Sequence, residues 1–251
     1  MVVVWLYSLV SVFVVSLISL VGLLTFRLNE KNLKKILLYL VSFSAGGLFG
    51  DAFIHLIPEA VGVSGVFGVH VSLYILLGII ASFVAEKFLQ WRHCHIPTSK
   101  EHPHSFAYMN LFGDAVHNFI DGLIIGGSYL ASVPVGIATT LAVVFHEIPQ
   151  EIGDFGVLIY GGFARSRALF FNFATALTAV FGTIVALSLG SLLQGSAAFL
   201  VPFAAGNFIY IAGSDLIPEL HKQEPKPLKS ALQLTAFVFG ILVLLSLTFL
   251  G

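Results

Sequence analysis

Thiols and charges are what this chain has least of. Cys94 is the only cysteine in 251 residues, so no intramolecular disulfide forms and one chain cannot build a thiolate cage for a metal. Charged side chains are 10% of the composition against 57% hydrophobic, a scarcity that excludes an ordinary soluble domain. The sequence has no glycine-rich phosphate loop and no stretch long enough for a soluble nucleotide domain, which excludes a self-contained pump. No Lys or Arg precedes Arg27, so the first apolar run lacks the basic flank of a secretory signal and is expected to stay in the membrane.

What fills the chain is hydrocarbon. A mean hydropathy of +0.97 and apolar runs near the roughly 20 residues that cross a bilayer predict eight spans, at about 2–26, 36–61, 69–85, 106–131, 135–160, 168–193, 197–221 and 228–250. The twelve cations support that count. They fall at Arg27, Lys31, Lys34 and Lys35; at Lys87, Arg92 and Lys100; at Arg165 and Arg167; and at Lys222, Lys226 and Lys229. Those are the loops after spans one, three, five and seven, and the alternate loops hold none, so the charged loops face the cytoplasm. Both termini are then expected outside, in a plasma or inner membrane.

Acidic residues behave oppositely. Of thirteen Asp and Glu, nine lie within or at the ends of the apolar runs: Asp51, Glu59, Asp114, Asp121, Glu147, Glu151, Asp154, Asp215 and Glu219. An ionisable group at the centre of a membrane helix costs roughly 2.5 to 3.5 kcal/mol on insertion scales. With no basic partner at that depth, these groups are protonated, hydrogen-bonded or neutralised by a cation from outside the sequence. The last choice implies a cation path.

Residues 45–59 and 205–219 match at seven of fifteen positions with a constant offset of 160, ending in LIPE both times. The tetrapeptide closes span two outside and span seven inside. Apart from a chance match in an apolar background, this is the pattern of an inverted repeat, which places a transport site near the midplane. The expected fold is an all-α membrane protein of eight transmembrane helices, 3+2+3, with spans one to three mirrored by six to eight. It forms one polytopic domain over 1–251, with a His-bearing cytoplasmic segment at 86–105.

Spans four and five carry metal chemistry. Asp114, His117, Asn118 and Asp121 are spaced i, i+3, i+4 and i+7, one stripe of a helix. On span five His146 pairs with Gln150 and Glu147 with Glu151, each at i+4, and Asp154 continues the Glu147 line. Pro149 removes an amide hydrogen and invites a kink. Imidazole with carboxylate suits Zn²⁺ and also Fe²⁺, Mn²⁺, Co²⁺ or Cd²⁺, whereas Ca²⁺ and Mg²⁺ prefer oxygen alone. Enough ligands are present for two ions bridged by Asp121.

HNFIDG at 117–122, HEIPQEIGDF at 146–155 and GDAFIHLIPE at 50–59 resemble the ZIP family of divalent-metal transporters, most closely its LIV-1 branch. The resemblance implies a first ion on His117, Asp121, His146 and Gln150 and a second on Asn118, Asp121, Glu147 and Gln150. It also implies import into the cytoplasm and an elevator-like movement of the site. Gln150 departs from the branch pattern, HExPHE, which has a second histidine there.

Other polar positions have two readings. Asp51, His55 and Glu59 line one face of span two, as a relay to the outer mouth or as helix-to-helix hydrogen bonds. Asp215, Glu219 and His221 receive the ion on exit, or Glu219 and His221 are simply solvated at the interface. Asn172 and Asn207 are expected to bond between helices, and His70 to lie at the outer edge without a ligand role. His93, His95, His102 and His104 surround Cys94 in the loop after span three, a density that favours weak metal capture over an ordinary loop. The expected partners are divalent metal ions, with Zn²⁺ first as transported substrate, and membrane lipid, with no nucleic acid; a homodimer stays open. Two rivals remain, an intramembrane zinc metalloprotease and a membrane metal sensor that does not transport. HEIPQE shares only its first two letters with the protease motif HExxH and lacks its second histidine.

Overall fold

The computed structural model describes residues 2–27, 30–93, 103–190, 197–222 and 226–249, and among them there is helix and turn but no strand. The first apolar run is α1 (Val2–Ser16), continued as a 3-10 helix over Leu17–Arg27. The second is α2 (Glu30–Gly50), a π-helical turn over Asp51–Leu56, and α3 (Ile57–Ser64). α4 (Val69–His93), α5 (Ser105–Ala131) and α6 (Val133–Tyr160) follow. The sixth run divides at Leu177 into α7 (Arg165–Ala176) and α8 (Thr178–Leu189). The seventh is α9 (Ala197–Tyr210), a π-helical turn over Ile211–Leu216, and α10 (Ile217–His221), and the eighth is α11 (Pro227–Leu247).

Among the described residues, six stretches are long and apolar enough to cross a membrane: Val2–Thr25, Ile36–Gly62, Val69–Phe88, Arg165–Leu189, Ala198–His221 and Pro227–Leu247. α5 and α6, at 27 and 28 residues, have the length but carry the carboxylates. The bundle is inverted relative to a soluble protein. Leu24, Phe170, Phe181 and Leu234 are more than 60% exposed, while Asp114, His117, Glu147, Glu151 and Asp154 are no more than 2% exposed. Such a surface is stable only against hydrocarbon.

The matching segments of spans two and seven fold alike. Pro58 and Pro218 cannot donate to the carbonyl four residues back, and their rings crowd it, so the preceding turn widens. The amide of Ile57 reaches back five residues to the carbonyl of Ala52, and that of Ile217 to Ala212, at the same offset of 160. Pro149 has a milder effect: α6 runs through it without a break.

Glycines set the closest helix contacts, and these too come in corresponding pairs. A methyl built on Gly46 would lie 2.0 Å from the carbonyl oxygen of Phe237 on α11, and one on Gly240 2.3 Å from that of Phe43. Its counterpart on Gly206 would lie 2.0 Å from the carbonyl oxygen of Ile75 on α4, and one on Gly78 2.1 Å from that of Phe203. α2 with α11 therefore packs as α9 does with α4, backbone against backbone. α5 and α8 meet in the same way through Gly122 and Gly182.

Chain ends of the helices group consistently. The backbone amide of His104 donates to the carbonyl of Gly161 at 2.8 Å, tying the start of α5 to the end of α6. At the opposite end Ser132 caps α6 by accepting from the amide of Val135, and the hydroxyls of Ser128 and Thr139 bond at 3.0 Å.

Overpacking such contacts costs about 1 to 3 kcal/mol. Gly46→Ala and Gly206→Ala are expected to lower the unfolding temperature of detergent-solubilised protein by several degrees. Gly127→Ala, whose methyl would meet nothing within 4 Å, is expected to leave it unchanged or slightly raised; equal thermal shifts in all three contradict the packing.

Candidate metal centre

α5 and α6 run side by side and bring four of the expected groups to one point. His117 and Asp121 lie one turn apart on α5, His146 and Glu147 are adjacent on α6, and one ligand atom from each falls within 4.8 Å of every other. Nε2 of His117 is 3.4 Å from Nε2 of His146 and 3.5 Å from Oδ2 of Asp121. It is also 3.4 Å from Oε1 of Glu147. Nε2 of His146 lies 2.9 Å from Oδ2 of Asp121 and 3.7 Å from Oε1 of Glu147. Ligand atoms about 2.0 Å from a tetrahedral Zn²⁺ stand about 3.3 Å apart, and these five separations straddle that value. At 3.4 Å the two imidazole nitrogens are far apart for the N–H to N hydrogen bond one neutral ring could donate to the other, and near the spacing of two ligands on a shared cation.

Span two supports the cluster from behind. Nδ1 of His117, which faces away from the other ligands, is 4.0 Å from Oδ2 of Asp51, and both atoms are buried without a hydrogen-bond partner. A carboxylate that accepts from a metal-binding histidine fixes its tautomer and ring orientation, and Asp51 stands just beyond hydrogen-bonding distance from His117. The second oxygen of Asp51 bonds Nδ1 of His55 at 3.1 Å, and the His55 ring stands 6.4 Å from that of His146. The π-helical turn carries both residues. Glu59, one turn further, is exposed.

The remaining candidates lie elsewhere. Asn118 turns its amide to Oδ1 of Asp114 at 2.7 Å. Gln150 lines a small cavity with Ser44, Asp51 and Pro149, and its amide nitrogen is buried and unpartnered. Asp114, Glu151 and Asp154 form a second polar layer on the side away from Asp121. Thr175 donates to Asp114 and Asn172 to Glu151, both at 2.5 Å, and Asn110 donates to Asp154 at 3.0 Å. Asn172 bonds between helices as expected, whereas neither amide atom of Asn207 has a partner. Asn207 instead faces Gly113 of α5, too small to offer it a side-chain group.

Asp215 is buried with Oδ2 unpartnered. Glu219 forms an ion pair with Lys222, and His221 is exposed. His70 is exposed beside the Tyr74 ring. Of the loop histidines, His104 is exposed and stacks on Phe106. His95 and His102 lie outside the described residues, as does the side chain of His93, whose backbone ends α4. Sequence reasoning missed Asn110 and Thr175. Asn110 was within reach, since it extends the stripe of Asp114 and Asn118 by one more turn, but nothing in the spacing of α7 points to Thr175.

The profile of the ZIP zinc transporter family matches residues 2–106 and 104–248. The chain is 33% identical to zinc transporter ZIP13 of Pongo abelii, covering 96% of this chain and 77% of that protein. It is 32% identical to zinc transporter zipt-7.1 of Caenorhabditis briggsae, covering 86% and 70%. Against zinc transporter SLC39A7 of Homo sapiens the identity is 29%, covering 96% and 70%. Its apolar helices, its buried polar seam and these relationships make it an integral, multi-pass membrane protein of a family of transporters rather than enzymes. The chain belongs to the ZIP zinc transporter family.

Proposed function

We propose that this chain carries Zn²⁺ across the membrane into the cytoplasm through the cluster of His117, Asp121, His146 and Glu147. The observation that carries the reading is the convergence of those four groups, three of them buried, with one ligand atom from each within 4.8 Å of every other. Fe²⁺, Mn²⁺, Co²⁺ and Cd²⁺ share the required ligand chemistry and are competing substrates. Eight spans in a 3+2+3 order cross the bilayer as one domain, α5 and α6 being the fourth and fifth. The paired π-helical turns and glycine contacts support an inverted repeat around them. The one-sided cations support both termini outside, and the membrane is a plasma or inner membrane. Lipid surrounds the apolar faces, and a homodimer is compatible with them.

The ion reaches the cluster past Glu59, His55 and Asp51, and leaves past Asp114, Asp154, Asp215 and Glu219. His93, His95, His102 and His104 then capture it on the cytoplasmic side. A second ion bridged by Asp121 requires Asn118 to leave Asp114, with Glu147, Gln150 and Glu151 completing the donor set. A divalent ion moving inward down about 100 mV gains roughly 4.6 kcal/mol, at about 2.3 per charge. Import needs no ATP.

Purified protein in liposomes is expected to accumulate Zn²⁺ without ATP, and folded protein giving no uptake above empty vesicles overturns the reading. His117→Ala or Asp121→Ala is expected to abolish most uptake, while His104→Ala alters the rate modestly; equal losses misplace the site. Asp51→Asn, which leaves the ligands but weakens their support, is expected to lower Zn²⁺ affinity about 10 to 100-fold, as outer partners of metal-bound histidines do, measured by competition with a zinc dye.

A further inference from the structure

Asn207 is a polar side chain that nothing around it answers. It is 1% exposed on α9, and neither atom of its amide has a hydrogen-bond partner. Gly113 of α5 stands against it: a methyl there would lie 3.0 Å from Oδ1 of Asn207 and 2.3 Å from Cδ1 of Ile211. Leaving a buried amide unsatisfied is destabilising, and an apolar residue of the same shape would remove the penalty. In the repeat, Gly47, one turn before Asp51, corresponds to Asn207, one turn before Ile211. Span two therefore carries its polar group on one turn of this face and span seven on the other.

The group of α5 that suits the amide is one turn away. His117 follows Gly113 at i+4 on the same face, and its ring packs 4.8 Å from that of Phe208, the next residue of α9. Its Nδ1 is buried without a hydrogen-bond partner and stands 4.0 Å from Oδ2 of Asp51. Hydrogen bonds between spans form two sets. Asn110, Asn172 and Thr178 tie α5, α6, α7 and α8 to one another, and Tyr210 ties α9 to Glu86 of α4. From one set to the other, His117 and Asp51 approach only to 4.0 Å. A step of α5 along α9 by one helical turn, about 5.4 Å, replaces Gly113 by His117 opposite Asn207.

We propose that Asn207 is a positioning residue for the metal cluster as the ion is released: α5 steps one turn toward the cytoplasm, and Nδ1–H of His117 turns from Asp51 to donate to Oδ1 of Asn207. Nε2 faces the ion throughout. A carboxylate behind a metal-bound imidazole raises its basicity, and a neutral amide does so less. The ion is then taken up with Asp51 behind His117 and let go with Asn207 there. This inference rests on the transport reading and on its direction.

Zn²⁺ uptake into liposomes, read beside the thermal unfolding and equilibrium Zn²⁺ affinity of the same variants, tests it. Asn207→Leu keeps the shape and loses the acceptor. Its unfolding temperature is expected to equal or exceed that of wild type, and its equilibrium affinity to stay unchanged, because the amide bonds to no ligand before the step. Its maximal uptake rate is expected to fall about tenfold with KM little altered, the loss of one hydrogen bond to an imidazole that carries a cation. Asn207→Asp, with an acceptor at the same place, is expected to recover several-fold of that rate. The proposal is overturned if Asn207→Leu transports at the wild-type rate, if its slower uptake comes with a matching loss of stability or affinity, or if Asn207→Asp is as slow as Asn207→Leu. Asn207→Ala carries the same expectations where the leucine variant does not fold. Wild type without uptake overturns the transport reading and this inference with it, whereas wild-type uptake with unaffected variants overturns this inference alone.

Discussion

Carboxyl groups without a Lys or Arg partner, held at membrane depth, are the constraint on which the rest of the structure depends. Every Lys and Arg of the sequence lies in or beside a loop, while Asp51, Asp114, Asp121, Glu147, Glu151 and Asp154 are all buried in the bundle. Hydrocarbon offers these groups nothing, so the helices that carry them turn them inward. α5 and α6 are thereby held at the centre, and the more apolar helices cover them.

Burying that polar seam demands close packing around it. Gly122 and Gly182 let α5 and α8 touch backbone to backbone, and the hydroxyls of Thr178 and Thr183 donate to the carbonyls of Ala115 and Gly122 at 2.7 and 2.9 Å. The π-helical turn before Pro58 brings Asp51 behind His117 and leaves His55 close to His146. The helix irregularity and the metal cluster are therefore parts of one arrangement. The corresponding turn before Pro218 carries Asp215, whose Oδ2 is buried without a hydrogen-bond partner.

Much of this was legible in the sequence because membrane helices obey simple periods. The i, i+3, i+4 and i+7 stripe of α5 and the adjacent His146 and Glu147 place themselves once the spans are known, and the offset of 160 between LIPE segments carries over to matching turns and matching glycine contacts. Less legible were the side-chain orientations. Asn118 shares the stripe of His117, yet its amide is drawn to Asp114, because a buried carboxylate competes for any nearby donor. Asn207 looked like a partner for another helix and found only Gly113. The break at Leu177 and the reach of Thr175 to Asp114 depend on how α7 leans on α5, which no local pattern encodes.

X-ray absorption at the zinc edge, on protein loaded with one Zn²⁺ per chain, tests the central claim most directly. Two imidazole ligands and two oxygen ligands about 2.0 Å from the metal, with the imidazole signal lost in the double variant His117→Ala, His146→Ala, are the expected result. A first shell of oxygen alone, or an imidazole signal that survives that double variant, would contradict the assignment of His117, Asp121, His146 and Glu147 as the place where the ion is held.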